Sequence, residues 1–240
     1  MGLAAQFETI IERQLNVHAA WVPVTTPYKL GDYGLISDGV FQKLGNIKDE
    51  FNVSFTEGTG EDATLSFVSD NTIVVDTSAG AEVTVSPESD IKANITYKFQ
   101  NDKSFLVKAP IINVSVIENV NQVAQQLKKV DAWRRVYKVV FQVYVAQNPL
   151  ILSTVTGDTD VTIGGSGSAL PQFNIGNASA SFSLKTTKEL GLNISGKTGV
   201  IALGLFKLSL IGGNVSFLGA EENDNVEPEN LNEKSLADDI

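Results

Sequence analysis

No cysteine occurs in the 240 residues, which excludes disulfides, thiolate nucleophiles and cysteine-ligated zinc or iron–sulfur sites. Histidine is nearly as scarce. His18 stands alone, so a histidine-based triad and a multi-histidine metal site are both unavailable, and the residue reads as the end of a helix. Long apolar runs are missing too: no stretch reaches the roughly 18 residues of a spanning helix, and residues 1–15 lack the basic-then-apolar order of a secretion signal. The chain therefore reads as soluble and intracellular. Positive charge is in deficit, with 18 Lys and Arg against 28 Asp and Glu. Most of that deficit sits beyond Gly219, where Glu221, Glu222, Asp224, Glu227, Glu229, Glu233, Asp238 and Asp239 face only Lys234. With no broad basic surface and no aromatic base-stacking motif, no nucleic-acid partner is expected.

What is present is apolar residue in short periodic pieces, 42% of the chain, enough to bury one domain over 1–218 with an acidic tail over 219–240. The chain is organised around Asp90 to Val155. Ile91, Ala93, Ile95, Tyr97 and Phe99 alternate with polar residues, the pattern of a half-buried strand. Phe105 to Ile117 is β-branched and interrupted by Pro110, which predicts a bulged or edge start to a strand. From Glu118 to Trp133 the period changes, with Val120, Val123, Leu127, Val130 and Trp133 on one face and Asn119 with Gln122 as a capping-box-like start. Period two returns at Tyr137, Val139, Phe141, Val143 and Val145. At the N-terminus Leu3, Phe7, Ile10, Ile11 and Leu15 predict a short amphipathic helix, docked on the sheet rather than free to seek a membrane. Leu30 to Ile36 and Val40 to Ile47 flank Ser37-Asp38-Gly39 as a hairpin. Short strands are expected at Val53–Phe55, Thr64–Val68, Ile73–Val75 and Glu82–Val85, and again at Ala178–Thr186, Leu190–Ile194 and Gly199–Leu210. The fold class expected is α+β: a twisted antiparallel β-sheet with a few peripheral helices and a short C-terminal tail.

Several motifs could carry chemistry. Gly191-Leu192-Asn193-Ile194-Ser195-Gly196-Lys197-Thr198 matches the Walker A pattern, but a working phosphate loop needs a helix after it, and here Gly199 and Gly204 follow inside an apolar run. A turn between strands is the better reading. Asp158 and Asp160 beside Gly164-Gly165 resemble one copy of a calcium turn that works only in arrays, and Glu61-Asp62 lacks a partner that would raise a pKa. No cofactor, metal or catalytic residue is expected, and the protein reads as no enzyme. The cluster Lys128, Lys129, Arg134, Arg135 and Lys138 beside Trp133 is either a solvated helix end or a contact for anionic lipid, where each cation near the surface contributes about 1 kcal/mol.

The second half resembles a known family. Gly167-Ser168-Ala169-Leu170-Pro171, Gly176, Ser181 to Leu190, Ile194-Ser195-Gly196 and Ile201 to Leu208 are similar in order and spacing to the closing strands of gasdermin pore-forming domains. Val22-Pro23 through Leu44-Gly45-Asn46-Ile47 resembles the start of their short bacterial relatives. The resemblance implies a pore-forming domain held inactive by the tail, an activating protease that cuts near Leu218, Gly219 and Ala220, and a large homo-oligomeric membrane β-barrel that kills the cell or arrests growth, as in antiviral defence. It implies a cytoplasmic resting form that moves to the inner membrane and binds anionic lipids. Candidate membrane strands lie in Ala63–Lys98 and Thr154–Ile194, the second with Ala178, Ala180, Phe182 and Leu184 on its apolar side. One departure matters: the bacterial relatives carry an acylated cysteine near the N-terminus, and this chain has none. The alternative is a soluble, non-enzymatic β-rich binding or scaffold protein.

Overall fold

The structure is a computed structural model and describes residues 2–76, 81–82, 95–164, 183–208 and 215–218. In chain order the elements are α1 (Leu3–Leu15), β1 (His18–Ala19), β2 (Asp32–Ser37), β3 (Val40–Asn46), α2 (Ile47–Phe51), β4 (Glu57–Thr59), β5 (Ala63–Val68), β6 (Thr72–Asp76), β7 (Ala81–Glu82) and β8 (Ile95–Phe99). They continue with β9 (Phe105–Ile117), α3 (Val120–Leu127), β10 (Lys138–Gln147), β11 (Leu150–Thr154), β12 (Thr159–Gly164), β13 (Ser183–Thr186), β14 (Leu190–Ser195), β15 (Gly199–Leu208) and β16 (Val215–Leu218). This is the expected α+β class, mostly antiparallel sheet with a few helices and not a closed barrel. Two compact units interleave along the chain, one drawn from residues 1–61, 113–145 and 199–240, the other from 62–112 and 146–198.

In the first unit β15 runs between β1 and β10 and also pairs with β16. Every residue from Val200 to Phe206 is buried, so this strand is covered on both faces and its sequence is a continuous apolar run rather than an alternation. The β2–β3 hairpin closes through Asp38 and Gly39, both left-handed at φ 51° and 73°, the geometry of a type I′ turn that suits the twist of the flanking strands. β2 then pairs with β10, setting Lys138 opposite Gly34 and Val139 opposite Tyr33. α1 buries Phe7, Ile10 and Ile11, three of the five residues its period assigns to one face. In β10 the alternation expected from the sequence is incomplete: Val140 is buried as fully as Val139 because the strand lies inside the core of this unit.

The second unit holds two layers. In one, β9 takes β5 and β11 as neighbours, and β11 also pairs with β14. The register of β5 on β9 jumps from Ala63↔Ile112 to Leu65↔Ala109, which places one extra residue of β9 at Pro110–Ile111. Proline has no N–H to give the ladder, and the bulge it prefers is what the sequence expects here. The other layer is a five-stranded sheet in the order β13-β12-β8-β6-β7. Leu106, Leu150 and Leu152 of the first layer meet Val74, Ile95, Tyr97, Phe99, Val161 and Ile163 of the second in one apolar cluster. Two expectations shift. Residues 53–55 are not a strand, since the pairing with β9 is made by Glu57–Thr59 instead, and of the alternating run only 95–99 falls within the described residues.

Candidate membrane-contact site

α3 is shorter than its periodicity suggests. It begins after Asn119, buries Val120, Val123, Ala124 and Leu127, and stops at Leu127 rather than reaching Trp133. Beyond it the chain folds into tight turns, with Val130 N–H donating to Leu127 O and Trp133 N–H to Val130 O, so the apolar residues keep their three-residue spacing without a helix. The helix ends early because Trp133 packs off its axis. Its ring packs 5.7 Å from Tyr33, 5.6 Å from Phe51 and 5.4 Å from Tyr137, an aromatic cluster that draws the backbone off the helix axis. Tyr33 donates its hydroxyl to Glu50, and its pKa is pushed well up, first by burial and then by that carboxylate.

Side-chain amides tack α3 to the segment before β4. Asn119 does not cap its own helix: its Nδ2 donates to Gln122 Oε1 at 3.0 Å, and its Oδ1 accepts the Thr56 N–H at 2.8 Å. At the other end Gln126 accepts from Ser54 N at 3.3 Å and donates to Ser54 O at 3.1 Å. The turn that follows is therefore held at both of its roots, by Gln126 and by the aromatic cluster.

On that turn Lys128, Lys129 and Arg135 are exposed and Arg134 is half-buried, with Asp131 the acid among them. None of these four cations is ion-paired among the described residues. Lys138 is separated from them: it is 2% exposed within β10, where its Nζ donates to Val136 O at 3.2 Å. The exposed cationic surface is thus Lys128, Lys129 and Arg135, with Arg134 at its border.

The remaining sequence candidates fall as follows. Leu184 lies in β13 opposite Ile163 and packs, half-buried, on the core of its unit, while Ala178, Ala180 and Phe182 lie outside the described residues. Leu218 ends β16, buried and opposite Leu205, and Gly219 and Ala220 lie outside the described residues with the tail. The Walker-like run is a strand, β14, then a turn through Gly196 at φ +68° and the start of β15, so no helix N-terminus exists to hold a phosphate. His18 is in β1 opposite Leu203, not at a helix end. Among the described residues no group of three His, Asp or Glu side chains gathers to hold a metal.

One arrangement was not legible in any motif. Asp76 at the end of β6 pairs with Ile95 at the start of β8, Ile95 region pairing brings Ile163 of β12 alongside, and Gly164 at the end of β12 pairs with Ser183 at the start of β13. The chain therefore leaves β6 and β12 and enters β8 and β13 at the same end of one sheet, and after β6 it turns back through β7, where Ala81 pairs with Asp76 and Glu82 with Val75. Only the alternation of Ile91 to Phe99 and of Ala178 to Thr186 hinted at it.

These observations define an α+β protein in which β6, β8, β12 and β13 share one sheet end and a turn carries four cations without an ion pair among the described residues. No protein-family model matches the chain, and no curated protein matches it. Among solved structures it is similar to a bacterial gasdermin from Bradyrhizobium tropiciagri, at 11% identity over 90% of each chain with a TM-score of 0.40. It is also similar to the Gasdermin A3 membrane pore, at 9% identity over 92% of this chain and 96% of that one with a TM-score of 0.36. Both are similarities of fold, at the level of a gasdermin-like α+β architecture.

Proposed function

We propose that this chain is a pore-forming, membrane-permeabilising effector. In this reading it rests inert in the cytoplasm, a protease removes residues 219–240 by cutting near Leu218, Gly219 and Ala220, and the freed body self-associates into a β-barrel in the inner membrane. Growth arrest or cell death follows, the outcome expected of an antiviral device. The observation that carries the reading is the common sheet end of β6, β8, β12 and β13. A membrane strand needs about 9–11 residues, so residues 165–182 are long enough to extend β12 and β13 through a turn, and residues 77–94 to extend β6 and β8 once β7 gives up its pairing with β6. Because the four parent strands are already paired in register, extension would add hydrogen bonds to existing ladders, and neighbouring copies in a closed barrel would pair the two outer edges as a bilayer demands. The exposed Lys128, Lys129 and Arg135 give the body a place to meet anionic lipid first.

The test is dye release from vesicles containing phosphatidylglycerol, comparing the full chain with one ending at Leu218. The shortened chain is expected to empty the vesicles while the full chain leaves them intact; two equally inert proteins would refute the reading. A second reading, a β-rich binding or scaffold protein, is favoured by a depression of about 560 Å³ beside α3, lined by Val116, Val120, Phe141, Gln142 and Phe217. Phe217 is 56% exposed there, an aromatic ring that a bound partner would cover.

A further inference from the structure

The two layers of the second unit repeat one strand order. β5, β9, β11 and β14 lie side by side in one layer and β6, β8, β12 and β13 in the other, and each strand is joined to its counterpart by a short segment, 69–71, 100–104, 155–158 or 187–189. The two central joints agree in register. Phe99 pairs with Thr159 on one side of them and Phe105 with Ser153 on the other, so both strands spend the same number of residues in crossing. Within the crossing Asp158 N–H donates to Gln100 O at 3.3 Å and Thr154 N–H to Ser104 O at 2.9 Å, which continues the same register. Residues 95–108 and 150–163 are thus one antiparallel pair bent in the middle, an agreement that two separate sheets would not need. The outer joints lack it. From Val68 to Thr72 the outer strand advances four positions while its neighbour covers seven, from Phe99 to Leu106, and four against seven recurs for Thr186 to Leu190 beside Thr154 to Val161.

The bend has hydrogen bonds of its own. Asn101 O accepts from the Ser104 hydroxyl at 3.0 Å and from the Thr154 hydroxyl at 3.3 Å, and Lys188 Nζ donates to Gly157 O at 2.7 Å. The side chains, by contrast, suit a straight strand. Ile95, Tyr97, Phe99, Phe105 and Val107 would share one side of it, interrupted at Asn101 and Lys103, whereas in the bent form Tyr97 and Phe99 cluster with Leu106 from the other side of the chain. Val155, 47% exposed in the bent form, would join the apolar side on the partner strand with Val161.

We propose that the central joints are a crease: on entering a membrane, residues 95–108 and 150–163 straighten into one strand pair with no change of register, and the outer strands follow by re-pairing three residues along. The bonds to Asn101 O are lost, ladder bonds through the crossing replace them, and the two apolar stretches become one face that lipid can cover. This rests on the pore-forming reading and adds to it where the sheet opens and which strands keep their partners.

The experiment is the distance between spin labels, for which a chain without cysteine offers no competing site. One label pair is Asn148→Cys with Thr162→Cys, and the other is Lys98→Cys with Ile111→Cys. Each full chain is measured in solution, then cut after folding at a protease site placed behind Leu218 and measured again on dye-loaded phosphatidylglycerol vesicles. Stacked layers lie about 10 Å apart and a strand rises about 3.3 Å per residue, so each distance is expected to grow from about 25 Å or less to about 40 Å or more. Vesicles that lose their dye while both distances stay short overturn the crease and leave the pore standing. A cut chain that leaves the vesicles full overturns the pore-forming reading and the crease with it. The two pairs sit on different strands, so a variant that does not fold leaves the other to decide.

Discussion

β15 and β12 are both strands with buried apolar residues, yet they are built differently. β15 is apolar without interruption from Val200 to Phe206 and buried on both faces, so it has no side to offer to a new environment. β12 alternates, with Thr159, Val161 and Ile163 fully buried and Asp160 and Thr162 partly exposed, and β13 beside it has Leu184 half-buried and Lys185 and Thr186 exposed. A strand of the first kind can only be core. One of the second kind has an apolar face that lipid could cover as well as protein does, and a polar face that water covers in either state. The difference teaches that a strand buried on both faces has nothing to offer lipid, whereas on the proposed pore-forming reading β12 and β13 have one face that could pass from protein to lipid.

The largest effect is expected from Ala180→Asp with Phe182→Asp, on the apolar side of the alternation that continues into β13. In the chain ending at Leu218 this pair should abolish dye release while the circular dichroism spectrum stays that of the parent, because charge at the bilayer midplane is strongly unfavourable. Full release by the double variant would remove residues 178–184 from any pore wall. Next comes Phe206→Ala in β15, which should cost about 3–5 kcal/mol in urea unfolding, against about 1 kcal/mol or less for Leu184→Ala, whose side chain is only half-buried. Equal losses would erase the distinction between scaffold and convertible strands.

Smaller effects test the cationic turn of the first unit. Removing Lys128, Lys129 and Arg135 together should weaken binding of the shortened chain to phosphatidylglycerol vesicles by about a hundredfold at low salt, from about 1 kcal/mol each. Lys138→Ala, by contrast, should lower stability without changing the salt dependence of binding, since its ammonium is inside the protein. The smallest change is expected from Gln126→Ala, which removes two hydrogen bonds to Ser54 and should cost about 1 kcal/mol in thermal unfolding. Its use is as a reference: a much larger loss would mean that the turn depends on Gln126 more than on the aromatic cluster around Trp133.

Much of this was readable in the order of residues. The face of α1, the Asp38–Gly39 turn, the interruption at Pro110 and the absence of a helix after Lys197 follow from periodicity, from the φ that glycine permits and from the N–H that proline lacks. Each is a property of neighbours in sequence, so no fold has to be known. The site was legible only in part. Five cations were visible in one stretch, but period alone put Trp133 on a helix face and Lys138 in company with Lys128.

What the sequence determined by itself is the type of most described strands and helices and the exclusion of cysteine chemistry, because backbone preference and composition act locally. Only the tertiary structure decided that Trp133 is packing for Tyr33, Phe51 and Tyr137, that Lys138 is buried opposite Gly34, that Glu8 holds His18 and the Ala19 amide, and that β6, β8, β12 and β13 share one sheet end. Those are contacts between segments far apart in the chain. For Lys138 a one-residue slip of β10 would have turned the side chain to the opposite face, and for Trp133 and Glu8 the partner lies on another element, so no local pattern records which packing the folded core selects.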